Sequence, residues 1–311
     1  MHVALAGGVG GAKLALGLSR VLSPEELTVV VNTGDDFDHL GMRICPDLDT
    51  VMYTLAGMAN PETGWGVRDE TWTFMDSLAR QGGETWFRIG DRDLQTHITR
   101  TARLAEGASL SAVTAELCAA LGVAHPVLPA TDDRVATMVR VADGLLAFQD
   151  YFVRLQCAPR VEGFDFVGAE TARPTAAVAD AFASGRVDSV IVCPSNPFVS
   201  IGPMLAIPAL RDCLAERTFP CVAVSPIVGG AALKGPAAKM MVELGIGPSP
   251  VAVADCYAGL IDGLVIDEAD AEDADELSDS GIAVLVTGTV MRSDGDRERL
   301  ASETLAFASG L

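Results

Sequence analysis

Val29-Val30-Val31-Asn32-Thr33-Gly34-Asp35-Asp36-Phe37-Asp38-His39-Leu40-Gly41-Met42-Arg43-Ile44-Cys45-Pro46-Asp47-Leu48-Asp49-Thr50 is the stretch around which the rest of the chain is organised. It opens in a β-branched run, residues 27–31, of the kind buried on both faces of a parallel sheet. Asn32-Thr33-Gly34 then breaks the run with turn chemistry. Five carboxylates follow within fifteen residues, Asp35, Asp36, Asp38, Asp47 and Asp49, together with His39 and Arg43. A loop at the carboxyl end of a buried strand is where open α/β sheets bind ligands. Hard oxygen donors this close repel one another unless a cation or protons neutralise them. A solvated acidic loop is the plainer reading, but Gly34, Gly41 and Pro46 fix the backbone between the acids, and solvation does not require that. The segment is therefore assigned to a ligand site.

Upstream, residues 2–6 make a short apolar strand, followed by Gly7-Gly8-Val9-Gly10-Gly11-Ala12-Lys13 and a helix over 14–22. Strand, glycine turn and helix present backbone N–H groups to an anion. Four glycines in five residues exceed the need of a tight turn, so close approach of a ligand is expected. The spacing is neither Gly-x-Gly-x-x-Gly nor the Walker pattern, which argues against a dinucleotide-binding redox protein and a P-loop nucleotidase. The run at 29–32 completes a βαβ unit. A helix over 48–57, with Pro46 ahead of it and Asp47 near its first turn, directs its N-terminus into the acidic loop.

Downstream the rhythm changes. Helical patterns at 68–80, 91–106 and 109–121 precede an alternating pair, 136–141 and 145–148, that reads as a β-hairpin across Asp143-Gly144. Trp65, Trp72, Trp86 and Phe87 fall here, as insertion core or as ligand contacts. His97, mid-helix, reads as an ordinary partly buried histidine. Beyond Gly185 strands return at 189–192, 220–225, 263–267 and 283–287. The first two end in loops, Pro194 to Pro203 and Pro226 to Pro236, at the same sheet edge, and a helix runs from the first loop to about Arg217. The acidic segment 267–279 reads as a solvated loop or short helix, and a last helix starts near Asp294. Residues 1–60 and 161–311 are assigned to a doubly wound, mostly parallel, Rossmann-like nucleotide-binding core, and 61–160 to a mainly helical insertion covering the active site.

With 311 residues, 49% of them hydrophobic, the chain suits one large α/β domain or one domain with an insertion. A formal charge of −20 and a pI near 4.4 disfavour nucleic acid and anionic membranes as partners, and require any phosphate site to be locally cationic. Lys13, Lys234 and Lys239 are the only lysines, and the first two sit in glycine-rich turns. Cys45, Cys118, Cys157, Cys193, Cys213, Cys221 and Cys256 form no Cys-x-x-Cys pair, as expected of reduced thiols in a cytoplasmic protein. Neither a signal peptide nor an apolar run of roughly eighteen residues is seen.

The converging loops supply amides, hydroxyls, two lysines and clustered carboxylates, the inventory of phosphoryl transfer. In detail the chain resembles the 2-phospho-L-lactate transferase (CofD) family, closest to its actinobacterial phosphoenolpyruvate branch. The resemblance rests on Gly7 to Lys13, Asn32 to Asp36 with Gly41, Pro46 to Thr50, Gly64 to Gly66, Gly90 to Asp93 with Thr96 and His97, Ser195 to Pro197 with Ser200 to Pro203, and Ser225 to Ile227 with Gly229 and Gly235 to Ala237. It implies transfer of a phosphorylated three-carbon acid from its guanosine diphosphate derivative to the ribityl hydroxyl of the deazaflavin Fo, with release of GMP, in coenzyme F-420 biosynthesis. It further implies a magnesium ion (Mg2+), held by Asp47, Asp49 and Asp35. Asp49, Asp47 and Asp36 are the implied catalytic residues. Substrate and nucleotide contacts fall to Gly8, Gly10, Gly11, Lys13, Asp35, Arg43, Arg92, Ser195, Asn196, Ser200, Gly229, Lys234 and Gly235. Arg43 and Arg92 are the cations assigned to the donor carboxylate, with local salt bridges as their alternative, and a homodimer is expected. The competing reading is a non-enzymatic, nucleotide-sugar-binding regulator of the same superfamily.

Overall fold

Every residue of β2 (Leu27–Val31) and four of the five in β1 (His2–Ala6) are buried, as strands covered by helices on both faces must be. In the computed structural model, which describes residues 1–311, they join β3 (Val127–Pro129), β4 (Ser189–Val192), β5 (Cys221–Val224), β6 (Gly263–Ile266) and β7 (Ala283–Val286). All seven run parallel, in the order β7-β6-β5-β4-β1-β2-β3. This is the doubly wound order 3-2-1-4-5-6 with one more strand at the far edge. Strand order reverses between β1 and β4, so the crevice outside their carboxyl ends is the switch point where such sheets bind ligands.

Alternation along β1 builds the two core layers. Val3 and Leu5 enter one buried cluster, Ala4 and Ala6 the other. The second layer holds α1 (Gly8–Val21), α2 (Pro46–Leu55) and the C-terminal helix Asp294–Ala308. At Gly17 a Cβ would collide with the Arg297 carbonyl, so α1 and the last helix meet backbone to backbone. The N-terminal ammonium pairs with Asp188 at 2.5 Å, which pins β1 beside β4.

The region read as an insertion is less separate than expected. Its helices are α3 (Thr73–Arg80), α4 (Asp93–Ala105) and α5 (Leu110–Ala120), the last capped by Ser109. Val127–Pro129, inside 61–160, pairs with Val29–Val31 and is the edge strand of the main sheet. The hairpin Ala136–Val141 with Gly144–Ala147 also gains a third strand, Gly163–Val167, from beyond residue 160. Two other expectations are corrected. The helix expected after Pro203, running to about Arg217, is broken into Gly202–Leu205 and Pro208–Ala215, because Pro208 starts a new helix, and Pro197–Ile201, inside the expected loop, is already helical. In the acidic segment Asp267 and Asp270 are buried rather than solvated: Asp267 accepts from Thr289, and Asp270 from the Gly229 amide. All seven cysteines are free thiols, and no single helix is long and apolar enough to cross a membrane.

Candidate active site

The carboxyl ends of β1, β2 and β4 bring the glycine turn, the acidic loop and the Ser195 loop together. Part of the glycine run serves this meeting. A Cβ at Gly10 would overlap the Pro194 carbonyl, and one at Gly11 would lie 2.6 Å from the Ser195 hydroxyl. At Gly7 it would lie 2.6 Å from Ser200 Cβ and 2.7 Å from Asp47 Oδ2. Loop-to-loop packing thus accounts for glycines that the sequence reading gave to a ligand. Gly8 alone in this turn has a positive φ, +62°, and its amide donates to Asp47 Oδ1 at 2.8 Å.

Asp47 also accepts from Asn32 Nδ2 at 3.0 Å. It is buried, and burial pushes its carboxyl up to about 6 despite these donors. Asp35 lies beside it, held well above the usual carboxylate range by burial and by the Asp47 charge, and its Oδ1 has no partner. Asp36 is pushed up to about 7 by burial. Both its oxygens lack a hydrogen bond, and the Arg43 guanidinium stands 3.5 Å away. Pro203 on Gly34, Thr137 N–H on the Gly34 carbonyl (2.7 Å) and Gln149 on the Asp35 carbonyl (3.4 Å) wall the loop in.

Asp49 has different neighbours. Residues two apart on a helix do not share a face, so Asp47 turns to the glycine turn and Asp49 to α4. Fully buried Arg100 grips both Asp49 oxygens, one of them through NH1 at 3.2 Å. His97 sits between Asp49 (3.6 Å) and Asp93 (3.2 Å), and Tyr53 donates to Asp93 at 2.6 Å. Burial raises Asp49, and the Arg100 and His97 charges oppose the rise. The histidine read as ordinary is therefore enclosed by two carboxylates, and Arg100 is a site residue that the sequence reading missed. Asp93, His97 and Arg100 fall at i, i+4 and i+7, one face of a helix, and that spacing was the available signal.

Two groups have the chemistry to hold a cation. Asp35, Asp36 and Asp47 are buried carboxylates with three unpartnered oxygens between Asp35 and Asp36, a donor set that fits a hard divalent ion. Ligand atoms of Asp49, Asp93 and His97 lie within 4.8 Å of one another, but there the Arg100 guanidinium already balances Asp49. The Asp35, Asp47 and Asp49 ligand set of the sequence reading is thus divided between two neighbourhoods.

The remaining residues are spread along the rim. Lys13 donates to the Met291 carbonyl (3.2 Å), and Lys234 to the carbonyls of Glu62 (3.2 Å) and Thr63 (2.8 Å); neither forms an ion pair. Burial lowers the Lys13 pKa, and the Arg297 and Lys234 charges lower it further. Ser195 accepts from the Gly7 amide, Asn196 caps the Phe198 amide, and Ser200 packs on Gly7. Gly229 is tied to Asp270, whereas Gly235, with φ +75°, borders open space. Arg43 bridges Asp36 and Asp38, the local ion pair that was its alternative. Arg92 is exposed, donates to the Arg68 carbonyl and forms no ion pair.

Residues 3–292 match the family described as 2-phospho-L-lactate transferase CofD. The chain belongs to the CofD family. A relative from Streptomyces griseus named phosphoenolpyruvate transferase is 43% identical over 312 residues, covering 98% of both chains. One of the same name from Thermobifida fusca is 46% identical over 284 residues, 87% of each chain, and one from Mycobacterium tuberculosis is 39% identical over 308 residues, 91% of this chain and 92% of that one. Among solved structures, a UPF0052-family protein from Bacillus halodurans shares the fold, with a TM-score of 0.63, 13% identity and 98% of each chain covered. As a CofD-family member the chain is a transferase, which sets aside the non-enzymatic alternative. In this CofD-family chain the acidic loop and the glycine turn form one connected site.

Proposed function

We propose that this transferase moves an enolpyruvyl phosphate from its guanosine diphosphate derivative to the ribityl hydroxyl of deazaflavin Fo, in coenzyme F-420 biosynthesis. The hydroxyl oxygen bonds to the phosphorus carrying the three-carbon acid. The bond from that phosphorus to the bridging oxygen breaks, and GMP leaves with the electron pair. Asp36 is poised to take the hydroxyl proton: burial pushes its carboxyl up to about 7, and neither of its oxygens accepts a hydrogen bond, with the Arg43 guanidinium 3.5 Å away. Asp35 and Asp47 would hold magnesium, which when bound supplies positive charge to the diphosphate. Asp47 fixes the glycine turn through Gly8, and Arg100 fixes Asp49 at the side of the acidic loop. Lys13 and Lys234, unpaired with any acid, are the cations available to phosphate oxygens.

The observation that carries this reading is the buried Asp35, Asp36 and Asp47 cluster against the glycine turn, in a chain whose full-length relatives are named phosphoenolpyruvate transferases. The test is incubation with Fo, magnesium and the guanylylated lactate, enolpyruvate and glycerate donors at equal concentration, followed by mass spectrometry. The enolpyruvyl product should dominate and GMP should appear with it. Dominance of the glyceryl or lactyl product, or no product from Fo, overturns the assignment.

A further inference from the structure

The turn 59–67 is built to hold one indole in the open. An antiparallel bridge between Ala59 and Val67 closes it, and its inner amides bond across it: Gly64 N–H to the Asn60 carbonyl at 2.8 Å, Asn60 N–H to the Gly66 carbonyl at 3.0 Å. Gly64 and Gly66 have φ of +80° and +71°, so left-handed backbone flanks Trp65 on both sides. The turn is fastened at two points. A Cβ on Gly64 would lie 2.5 Å from Val9 Cγ1, in the first turn of α1, and the Lys234 ammonium grips the Glu62 and Thr63 carbonyls from the opposite loop. Trp65 thus stands where the glycine turn, the 59–67 turn and the Gly229 to Gly235 loop meet. It is 51% exposed, and no other aromatic ring packs on it. The other two tryptophans are spent on the protein itself: Trp72 lies under Arg88 at 3.9 Å, and Trp86 packs tilted against Phe37 and edge-on against His39 and Phe87.

A large exposed apolar ring on a turn this constrained has little reason to be there for stability. Its neighbours are the helix N-terminus and the one unpaired lysine of the 229–235 loop, both of which attract phosphate. A molecule with phosphate on that helix end places its attached ring within reach of the turn. Resting on the transferase reading above, we propose that Trp65 is a substrate-binding residue whose indole stacks on the flat heteroaromatic ring of a substrate, either the guanine of the donor or the deazaflavin of the acceptor. Stacking needs only a π face, so it positions the ring without naming its edges, and the loss of one such contact is commonly tenfold or more in affinity.

Trp65→Ala and Trp65→Phe should be compared with the wild type by titration with GDP, with Fo, and with inorganic pyrophosphate as the ringless control, alongside steady-state turnover. Trp65→Ala should weaken one of the two ring ligands roughly tenfold or more, raise KM for the corresponding substrate by a similar factor, and leave pyrophosphate binding unchanged. Trp65→Phe should restore most of the loss. Whichever ring ligand is weakened identifies the stacked partner. The inference falls if Trp65→Ala binds both ring ligands as the wild type does, or if pyrophosphate binding drops in parallel, which marks a collapsed turn. Wild-type turnover separates the two proposals: failure of the wild type to convert Fo sinks the transferase reading, whereas a wild-type KM for both substrates in Trp65→Ala sinks only the stacking role.

Discussion

Replacing Arg100 by methionine removes the cation from a buried pair while keeping most of the apolar stem. Arg100 is 1% exposed and Asp49 5%, so the carboxylate left behind has no access to water. Breaking a buried pair from one side costs about 3–5 kcal/mol. Protonation limits that cost, because an Asp of unfolded pKa ~3.9 is neutralised at pH 7 for about 4 kcal/mol. The two limits agree, so Arg100→Met should lose about 3–4 kcal/mol of stability at neutral pH. The sign with pH follows from Asp49, whose carboxyl is already raised by burial and loses the opposing guanidinium charge. A carboxyl with a raised folded pKa contributes stability below its unfolded pKa and loses it as pH climbs through the folded value. The deficit of Arg100→Met should therefore shrink as pH falls toward 5 and be largest near pH 8. Asp49→Asn strands the guanidinium instead, which does not deprotonate, and removes the raised Asp49 titration from the protein, so its deficit should not grow as pH rises. Urea unfolding of both variants at pH 5 and pH 8 tests this. A loss below about 1 kcal/mol for Arg100→Met at pH 8, or equal pH slopes for the two variants, refutes the pairing argument.

Gly10→Ala should destabilise the protein by about 1–3 kcal/mol, since its methyl group meets the Pro194 backbone carbonyl, which has no rotamer to give; a thermal midpoint equal to wild type contradicts this. Burial raises Asp36 to about 7 and Asp47 to about 6, so the metal-free protein should lose stability as pH rises from about 5 to 8. Magnesium should restore more stability at pH 8 than at pH 5.5 in paired melts, because it competes with protons for the oxygens of Asp35 and Asp47, both raised by burial, and a pH-independent effect rules out those two acids as its ligands.

The sheet was legible wherever a buried strand is a β-branched run, as in Leu27–Val31, Ser189–Val192 and Gly263–Ile266. Val127-Leu128-Pro129 was not, because three residues ending in proline carry no period and only pairing with β2 makes them a strand. The acidic loop was legible as a candidate site from its carboxylate density, and the structure buries Asp35, Asp36, Asp47 and Asp49. Its division was harder to see: Asp47 and Asp49 look like a pair in sequence, and only helical geometry sends them to different partners. Arg100 and His97 were hidden because their partner lies some fifty residues away in the chain, on α2. Asp270 looked solvated because composition does not record the Gly229 amide that buries it.

The central place of β1 sets the order of events during synthesis. Its outer neighbour β2 is complete at Val31, but its inner edge, His2 to Leu5, has no partner until Ser189 to Val192 have emerged. At about 5–20 residues per second, that wait is on the order of ten seconds or more. Throughout it the middle of the future sheet is an open strand edge, a template on which another nascent chain can pair. The N-terminal ammonium cannot help, since Asp188 arrives only with β4. The sheet is thus completed from its middle late, and the most vulnerable surface of this transferase is one that the finished protein no longer has.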